Sequence, residues 1–588
     1  MQESNRILLA TTLCVIIIIV FNYFFPQKYI NNINNKKDIS STKNYIIPIE
    51  KPSIIDTKND YTEKKVKIES KKFSGSINLR GALIDEFVLN EYKKNTDINS
   101  QKMDLLRNYK SKRPYYISFN IKINKLYNNI DIPGKNSLWE SDNNVLSNEN
   151  PVTLTWINDQ KIKFKIVLKI VDDYLLRVQY LIENMSNVEP EFMEYINITK
   201  TKVDEDKGKK IAVHEGGLVV QNEKISEINF NKLEDKEFIY KSNINWAGFS
   251  DKYWLSAIIS TKDEKINTVK FTNSNDTSDK DNHYFFLGTG SKQKKALTQK
   301  TTLLSDNYIF IGPKVIKILD DYSNKYNISL FDHAVDFGYL YFITKPLLIL
   351  LVYFYELFKN FGIAILILTI LVKIALFPLN YKGLKNMEKL KELNPKIQSI
   401  KQNYAGKNDL IQKHTIALYK KENVNPASGC IPIFIQMPIF YALYKVFCVS
   451  IEMRHAPILG WIKDLSSPDP LTIFNLFGLI KWTPPHYLMT GPIAITMAIT
   501  MYIHQQMSPK PADQTQAYMM KFMPLFVMIM VSSFPAGLLI YWTWSNILSI
   551  IQQIITKKFI TKNKTKNKII QQITTKQIIT KSKTKNKK

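Results

Sequence analysis

Lys373 is the side chain whose position most directly suggests chemistry, because it interrupts an apolar run that extends from Gly362 to Leu379. An ammonium group at the centre of a membrane helix costs about 2.5 to 3.5 kcal/mol on insertion scales. A lysine kept at that cost is typical of a hydrated cavity that attracts an acidic or polar segment of another molecule. The alternative is that the ammonium group snorkels to the interface, since Asn380 lies only about 10 Å further along the helix.

Polar side chains in the other apolar runs lie at depths that match Lys373. The candidate residues are Thr369, Gln436, Thr496, Thr500, Ser532, Tyr541 and Ser545. Tyr541, Ser545 and Ser549 recur every four residues, which places them on one face of a helix. Such a face either bonds neighbouring helices together or lines a polar path, and both interpretations stay open. With Lys373 added, the set predicts a hydrophilic groove between membrane helices.

Seven apolar runs must position these residues, and each is long enough to be considered a membrane span. They comprise residues 7–25, 339–358, 361–379, 429–448, 488–507, 517–534 and 536–556. Two other segments are strongly basic: residues 381–427 contain ten lysines and four acidic residues, and residues 557–588 contain twelve lysines and no acidic residue. Basic segments favour the cytoplasm, so one of the seven runs must not span.

The run at residues 339–358 is the one that we assign to the membrane interface. Lys345, Pro346 and Glu356 interrupt it, and its many aromatic residues are typical of a helix lying along the interface. The prediction is therefore six spans, with both termini in the cytoplasm and the soluble insert in the periplasm. The predicted order is a signal anchor (1–25), a periplasmic linker (26–76), a β-sandwich domain (77–335), an interfacial helix (336–359), span two (360–380), a cytoplasmic helical hairpin (381–427), span three (428–450), a periplasmic loop (451–487), span four (488–507), a cytoplasmic loop (508–516), spans five (517–534) and six (536–556), and a basic cytoplasmic tail (557–588).

The polar middle of the chain predicts β-structure. Between Lys161 and Ile170 apolar residues alternate with lysines, which puts apolar groups on one face of a sheet and ammonium groups on the other. The hairpin at residues 381–427 has instead a helical spacing of apolar residues, with a break predicted at Pro395 and a turn at Ala405-Gly406.

Composition sets further limits on the class of protein. The chain has 588 residues and a formal net charge of +28. Cys14, Cys430 and Cys448 all lie in or beside apolar runs, which excludes a disulfide framework. The sequence has no Cys-x-x-Cys motif and no Cys/His cluster, so we expect neither a metal site nor a cofactor.

The basic tail contains a tandem repeat, because residues 550–568 recur as residues 569–587 with 15 of 19 positions identical. Its lysines are suited to a polyanion, and anionic lipid headgroups are the alternative ligand. The lysines that we assign to this binding are Lys557, Lys558, Lys562, Lys564, Lys566, Lys568, Lys585, Lys587 and Lys588.

Four segments resemble the YidC/Oxa/Alb family of membrane protein insertases. They are Asn425 to Phe447 (NPASGCIPIFIQMPIFYALYKVF), Phe534 to Gln553 (FPAGLLIYWTWSNILSIIQQ), Val372 to Leu379 (VKIALFPL) and Asn394 to Gln398 (NPKIQ). The resemblance covers residues 336–556, and the N-terminal anchor with a periplasmic β domain is similar to the Gram-negative form. It implies a multi-span α-helical membrane protein of six transmembrane helices, five of which form the insertase core, with a large periplasmic β-supersandwich domain.

The resemblance also implies a function. It indicates an insertase of the inner membrane that hydrolyses no nucleotide and receives client proteins in a hydrophilic groove, alone or with the Sec translocon. Lys373 stands where the family usually has an arginine, so the charge is kept but bidentate carboxylate binding is lost. The implied partners are nascent inner-membrane proteins, the ribosome at the basic tail, the Sec translocon and membrane lipids, with no DNA.

Two functions of other classes compete with this interpretation. His214, Glu215, Trp246, Trp254 and His283 could line a sugar site of a periplasmic sugar-binding or sugar-modifying enzyme, although none has catalytic spacing. A solute transporter is the second alternative, but the sequence shows no inverted repeat and no Gly/Pro-broken helix pair. Tight sugar binding or ion-coupled uptake would distinguish them.

Overall fold

The computed structural model describes residues 64–201, 213–274, 284–424, 431–458, 460–480, 482, 490–508 and 514–559, without the side chains of 431–435 and 514–516. The predicted signal anchor, most of the predicted linker and the tail beyond residue 559 lie outside the described residues. The described chain forms two compact units: the first comprises the residues up to Tyr339 together with Val449–Ile451, and the second comprises the other residues from Leu340 onward.

The first unit contains the predicted β domain. Its strands are β1 (Lys65–Glu69), β2 (Phe73–Asn78), β3 (Leu83–Lys93), β4 (Lys102–Leu106), β5 (Tyr115–Ile123), β6 (Glu140–Ser141), β7 (Val145–Leu146), β8 (Val152–Ile157), β9 (Ile162–Asp172), β10 (Leu175–Asn184), β11 (Glu191–Thr201), β12 (Gly216–Gln221), β13 (Lys224–Asn229), β14 (Phe238–Ser250), β15 (Trp254–Ser260), β16 (Ile266–Ser274), β17 (Tyr284–Gly290), β18 (Lys294–Lys295) and β19 (Lys300–Pro313). The helices of this unit are α1 (Phe230–Asp235) and α2 (Ile316–Lys325).

Two sheets meet at β14, whose two ends pair with different neighbours. Residues 238–241 pair with β16, whereas residues 246–250 pair with β12 and β15. One sheet runs β7-β1-β2-β3-β5-β11-β17-β16-β14, and the other runs β13-β12-β14-β15-β19-β10-β9-β8-β6. The described pairings are antiparallel except between β1 and β7. The long β14 therefore joins the two layers of a sandwich.

Aromatic residues fill the space between the layers. Phe164 on β9 packs edge-on against Phe192 on β11, with ring centroids 5.5 Å apart. The alternation predicted in residues 161–170 is confirmed, because Ile162, Phe164, Ile166 and Leu168 are fully buried. Lysines occupy the other face of β9, as expected for a sheet with one apolar side.

The β domain begins earlier than the sequence indicated, which corrects the predicted linker of residues 26–76. Residues 65–69 form β1 and residues 73–78 form β2, and the two strands pair in an antiparallel register. Val66 and Ile68 are the apolar residues that β1 buries. Two such residues among lysines are too few to stand out as an alternating pattern in a Lys-rich segment.

The second unit consists of helices. They are α3 (Tyr341–Phe358), α4 (Phe361–Asn403), α5 (Asn408–Lys421), α6 (Ile431–Val449), α7 (Pro492–Gln506), α8 (Gln514–Val531) and α9 (Ala536–Phe559). Helix α4 begins where the Asn360 side chain accepts a hydrogen bond from the backbone N–H of Ile363. An apolar cluster of Ala494, Met497, Val527, Val531 and Leu539 packs α7, α8 and α9 together.

Helix α4 corrects the break that the sequence predicted at Pro395. It continues for 43 residues through Pro378 and Pro395, so the predicted second span and the first arm of the hairpin form one helix. The turn after it is confirmed at Gly406, whose positive φ of 83° suits a glycine. Leu393, Ile397 and Val424 then form the buried contact of the hairpin.

Three described helical segments are long and apolar enough to cross a membrane: Gly338–Phe358, Phe361–Asn403 and Ala536–Phe559. Helices α6 and α8 contain shorter apolar segments. The interfacial placement of residues 336–359 stays a prediction, because this segment also has the length of a span. The total of six spans stays a prediction for the same reason.

Candidate functional site

Lys373 makes a hydrogen bond across two helices of the second unit. Its Nζ, half-buried on α4, donates to the Ser549 hydroxyl on α9 at 2.8 Å. The Ser549 hydroxyl in turn donates to the Ser545 carbonyl oxygen at 2.9 Å. The ammonium group is therefore held within the helix bundle by a polar face, at the position where the sequence predicted a groove.

The same face of α9 continues this polar contact along the helix. The buried Tyr541 hydroxyl accepts a hydrogen bond from Gln436 Nε2 on α6. Tyr541, Ser545 and Ser549 follow a four-residue spacing, so one face of α9 contacts both Gln436 on α6 and Lys373 on α4. We call this set of residues, Lys373, Ser549, Ser545, Tyr541 and Gln436, the polar path.

Three predicted groove residues use their hydroxyl groups within their own helices. Thr369 donates to the Ile365 carbonyl at 2.6 Å, Thr496 to that of Pro492 at 2.8 Å, and Ser532 to that of Ile529 at 2.8 Å. Such bonds satisfy a hydroxyl locally without a partner on another helix. The structure therefore does not connect these three side chains to the polar path.

Thr500 makes a contact between helices, although not with Lys373. Its hydroxyl donates to the Met497 carbonyl at 2.8 Å and accepts from Asn546 Nδ2 on α9 at 3.2 Å. Asn546 was not among the predicted residues. Asn546 follows Ser545 directly, so it lies on a different face of α9. Its hydrogen bond to Thr500 links this face to α7.

Two residues that the sequence analysis missed, His504 on α7 and Gln553 on α9, meet beyond Ser549 along α9. His504 Nε2 on α7 is 3.0 Å from Gln553 Nε2 on α9. Lys557 Nζ donates to the Met507 carbonyl at 2.7 Å. The available signal was the paired glutamines Gln552 and Gln553, which extend the polar residues of α9 toward its end.

The basic tail is described only at its start. Lys557 and Lys558 belong to α9, and Lys557 is engaged by Met507 as described above. The other seven lysines of the predicted polyanion site, at positions 562, 564, 566, 568, 585, 587 and 588, lie outside the described residues.

The residues proposed for a sugar site in the β domain have internal partners. The His214 ring contacts Asn229 Oδ1 at 2.7 Å and the Gly217 carbonyl at 3.2 Å, and burial lowers the pKa of this histidine. Trp246 is fully buried and donates to the Ser329 carbonyl at 2.9 Å. His283 lies outside the described residues.

The chemistry available in the helical unit is hydrogen bonding and charge attraction. Within the part of the chain that the structure describes, no group of His, Cys, Asp and Glu residues could hold a metal ion. The polar path offers an ammonium group, hydroxyls and an amide inside apolar helices. Such groups can accommodate a polar or acidic peptide segment at membrane depth.

Comparisons with known proteins find relatives of this chain over most of its length. Residues 65–350 match the family described as YidC periplasmic domain, and residues 353–564 match that described as 60Kd inner membrane protein. The chain is 39% identical over 569 residues to the membrane protein insertase YidC of Rickettsia prowazekii (strain Madrid E), covering 94% of this chain and 99% of the relative. It is 40% identical over 504 residues to that of Rickettsia canadensis (strain McKiel), covering 84% and 88%.

Solved structures give weaker likenesses. An active YidC insertase structure with its first transmembrane domain resolved is 15% identical, with a TM-score of 0.34, over 84% of this chain and 92% of that chain. A galactose mutarotase related enzyme from Lactobacillus acidophilus is 10% identical, with a TM-score of 0.29, over 42% and 97%. Neither carries an argument at these scores.

The relatives decide between the alternatives that the sequence left open. They are named insertases and match the chain over both units, so the enzyme and transporter interpretations have no support. The large β-sandwich domain followed by apolar helices is the organisation that the sequence predicted. The chain belongs to the YidC family of membrane protein insertases.

Proposed function

We propose that this chain inserts nascent inner-membrane proteins by receiving the polar flank of each client on the polar path. The observation that carries the proposal is the pair of hydrogen bonds that one face of α9 accepts within apolar helices, from Lys373 at Ser549 and from Gln436 at Tyr541. Thr369 lies one turn before Lys373 on α4. Its hydroxyl donates to the Ile365 carbonyl, so this side chain contributes packing at this position rather than a free hydroxyl.

The insertase must lower the free-energy barrier for moving the polar flank of the client across the membrane. Apolar client residues gain about 0.3 to 0.6 kcal/mol each when they enter the centre of the membrane, so their partition needs no fuel. The polar flank that must cross has the opposite preference, because unsatisfied polar groups in hydrocarbon cost several kcal/mol each. Hydroxyls, an amide and an ammonium group at membrane depth replace part of the lost water, and they lower the barrier for that flank.

Charge supports an orientation for the membrane unit. The end of α4, all of α5 and the tail after α9 carry the basic segments that favour the cytoplasm. We therefore place the helical hairpin and both termini in the cytoplasm and the β domain in the periplasm, with α3 along the outer interface. The polar path then opens toward the cytoplasm, where clients emerge.

The partners follow from this orientation. The basic tail binds ribosomal RNA through counterion release, which brings the site of synthesis close to the groove. The Sec translocon is a second partner for clients whose larger polar segments exceed what the groove can accept. Membrane lipids receive the apolar segment of the client once its flank has crossed.

The test is insertion of a single-span client into proteoliposomes that contain the purified full-length chain. Lys373→Gln removes the charge, and Ser549→Ala removes its hydrogen-bond acceptor; both should lower the insertion rate of a client with an acidic flank. Thr543→Val on the same helix is the matched control, because the Thr543 hydroxyl bonds to its own helix at Leu539. Loss of one charged hydrogen bond is worth about 1.5 to 3 kcal/mol, or roughly tenfold or more in rate.

Comparable insertion by the wild type, Lys373→Gln and Ser549→Ala would contradict the proposal. Equal losses in all three variants, Thr543→Val included, would point to a general loss of packing instead. The fraction of each variant that is monodisperse in detergent separates misfolding from loss of function.

A further inference from the structure

Lys557 connects three helices at the end of α9. Its Nζ donates to the Met507 carbonyl just past the end of α7, and it lies 3.8 Å from Glu388 Oε1 on α4. The side chains of Lys557 and Glu388 are 35% and 24% exposed, so both remain within reach of a competing group. The distance of 3.8 Å is too long for a hydrogen bond, which makes the ion pair easy to exchange.

A small cavity lies beside this ion pair, with room for about one water molecule. It is lined by Leu384, Met387, Glu388, Met507, Ser508, Gln553, Thr556 and Lys557. Among the described residues, two of its buried oxygen atoms, Gln553 Oε1 and Thr556 Oγ1, have no hydrogen-bond partner. Gln553 is 4% exposed and Thr556 is 2% exposed. Buried oxygens without donors are costly, and a donor that reaches them gains that energy.

Lys373 on α4 and Lys557 on α9 mark two positions along α9, because Lys373 donates to Ser549 of that helix. Ser549, the partner of Lys373, precedes Lys557 by eight residues on α9, or about 12 Å. His504 and Gln553 lie in contact between these two positions. The polar side chains of α9 therefore extend from Ser549, which contacts the Lys373 ammonium group of α4, to Lys557 in the last turn of α9.

We propose that Lys557 is the first contact for acidic client segments, and that Glu388 occupies its ammonium group until a client carboxylate replaces it. The substrate class is a client whose leading polar flank carries aspartate or glutamate. The carboxylate then moves on to Lys373. This proposal rests on the proposed function of the polar path.

The exchange conserves charge, because one carboxylate leaves the ammonium group as another arrives. It therefore needs no energy source beyond the difference between two weak ion pairs. A client with a neutral flank gains nothing from Lys557 and must separate Lys557 from Glu388 without compensation. Lys557 thus discriminates between acidic and neutral clients.

The test uses full-length chain in proteoliposomes and two single-span test proteins, identical except that the leading flank carries two aspartates or two asparagines. The measured quantity is the ratio of their insertion rates. Lys557→Gln should lower this ratio roughly two- to fivefold, as expected for a partly exposed ion pair. Lys557→Arg should restore it, and Glu388→Gln should raise the rate for the aspartate client. Lys389→Gln, which removes an exposed charge next to Glu388, is the matched control.

Equal effects of Lys557→Gln on both clients, or the same change of ratio in Lys389→Gln, would overturn the proposal. If Lys557→Gln does not fold, Glu388→Gln alone tests the proposal. An unchanged insertion rate of the aspartate client in Glu388→Gln would overturn the proposal. Failure of the polar path itself has a different signature, because Lys373→Gln would then leave both rates unchanged while Lys557→Gln still altered their ratio.

Discussion

At the scale of single residues, the contact between Lys373 and Ser549 places an ammonium group on the polar path. An ammonium group has three N–H donors, and Ser549 accepts from one of them. A guanidinium group has five donors in a planar fork that matches a carboxylate. Lys373 therefore offers a client a positive charge on a long side chain, rather than a planar group that matches a carboxylate.

Lys373→Arg tests that distinction. The variant keeps the charge and adds bidentate binding, so insertion of a client with an acidic flank should equal or exceed the wild-type rate. A client with a neutral flank should show no gain. Insertion rates of the two clients measure this, and a strong loss with both would show that the ammonium geometry at Ser549 is itself required.

A second residue-scale prediction concerns Glu194 in the β domain. Glu194 is 2% exposed, and burial raises its pKa to about 8. The folded state therefore binds more protons than the unfolded state between about pH 4.5 and 8, so stability falls as pH rises through this window. Glu194→Gln should remove that fall and stabilise the domain at about pH 7.5 by a few kcal/mol, on the order of 1.4 kcal/mol per pKa unit.

Thermal unfolding of the full chain in detergent, followed between pH 5 and about 7.5, measures this effect. The range stops there because burial lowers the pKa of Lys314 to about 8, and this lysine adds a slope of opposite sign at higher pH. Asp85, whose pKa burial raises to about 6, contributes in the same direction as Glu194 and remains in both proteins. An unchanged pH dependence in Glu194→Gln would refute the assignment.

At the scale of elements, the helical hairpin depends on few buried contacts. Ile397 on α4 is 3% exposed and packs with Leu393 and Val424, whereas the ion pair of Lys396 with Glu422 is exposed at 2.8 Å. Burial and not charge should therefore hold α5 against α4.

Ile397→Ala should destabilise the hairpin by about 2 to 4 kcal/mol, the usual cost of removing a buried isoleucine side chain. Lys396→Gln should have little effect. Hydrogen exchange of residues 408–421 measures the difference, while residues 361–373 serve as the internal reference. Faster exchange in Lys396→Gln than in Ile397→Ala would contradict this view of the hairpin.

The helical hairpin also shows what the sequence could predict about an element. The spacing of Leu393 and Ile397 predicted the buried face, and Gly406 predicted the turn. The break at Pro395 was wrong, because a proline removes one backbone hydrogen bond but does not always end a helix. Periodicity is a property of many residues, whereas the effect of one proline depends on neighbours that the sequence does not place.

At the scale of the whole molecule, the net charge of +28 is concentrated toward the basic tail and hairpin. Removing residues 569–588 takes away six lysines, those at positions 576, 581, 583, 585, 587 and 588. Ribosome cosedimentation should weaken, and its dependence on salt should flatten by somewhat less than one logarithmic unit per lost phosphate contact.

Replacing the same six lysines by glutamine keeps the full length of the tail, so it is the matched control for the truncation. It should reproduce the truncation, because the lysine charges carry the binding. Unchanged pelleting at low salt would contradict a ribosome ligand, and weakened binding to anionic vesicles in its place would identify lipid headgroups as the ligand of the tail.

The sequence predicted the two-part organisation of the chain but only part of the candidate site. Lys373 and Gln436 each donate to the face of α9 that carries Tyr541 and Ser545, and a four-residue spacing on one helix fixes such a shared face. Thr369, Thr496 and Ser532 are not connected to this face, because a hydroxyl in a helix can bond to its own backbone. Which partner a hydroxyl chooses depends on helix rotation, and that is set by packing.

Water accessibility of Ser549 tests the central claim most directly. The measurement is labelling of Ser549→Cys and of Ile551→Cys with a membrane-impermeant maleimide from the cytoplasmic side, after Cys14, Cys430 and Cys448 are replaced by serine. Ile551 is 44% exposed on the apolar side of α9 and is the matched control. A polar path that receives clients predicts labelling at position 549 that a bound client blocks, and none at position 551. Absence of labelling at position 549, or labelling that a client does not change, would contradict it.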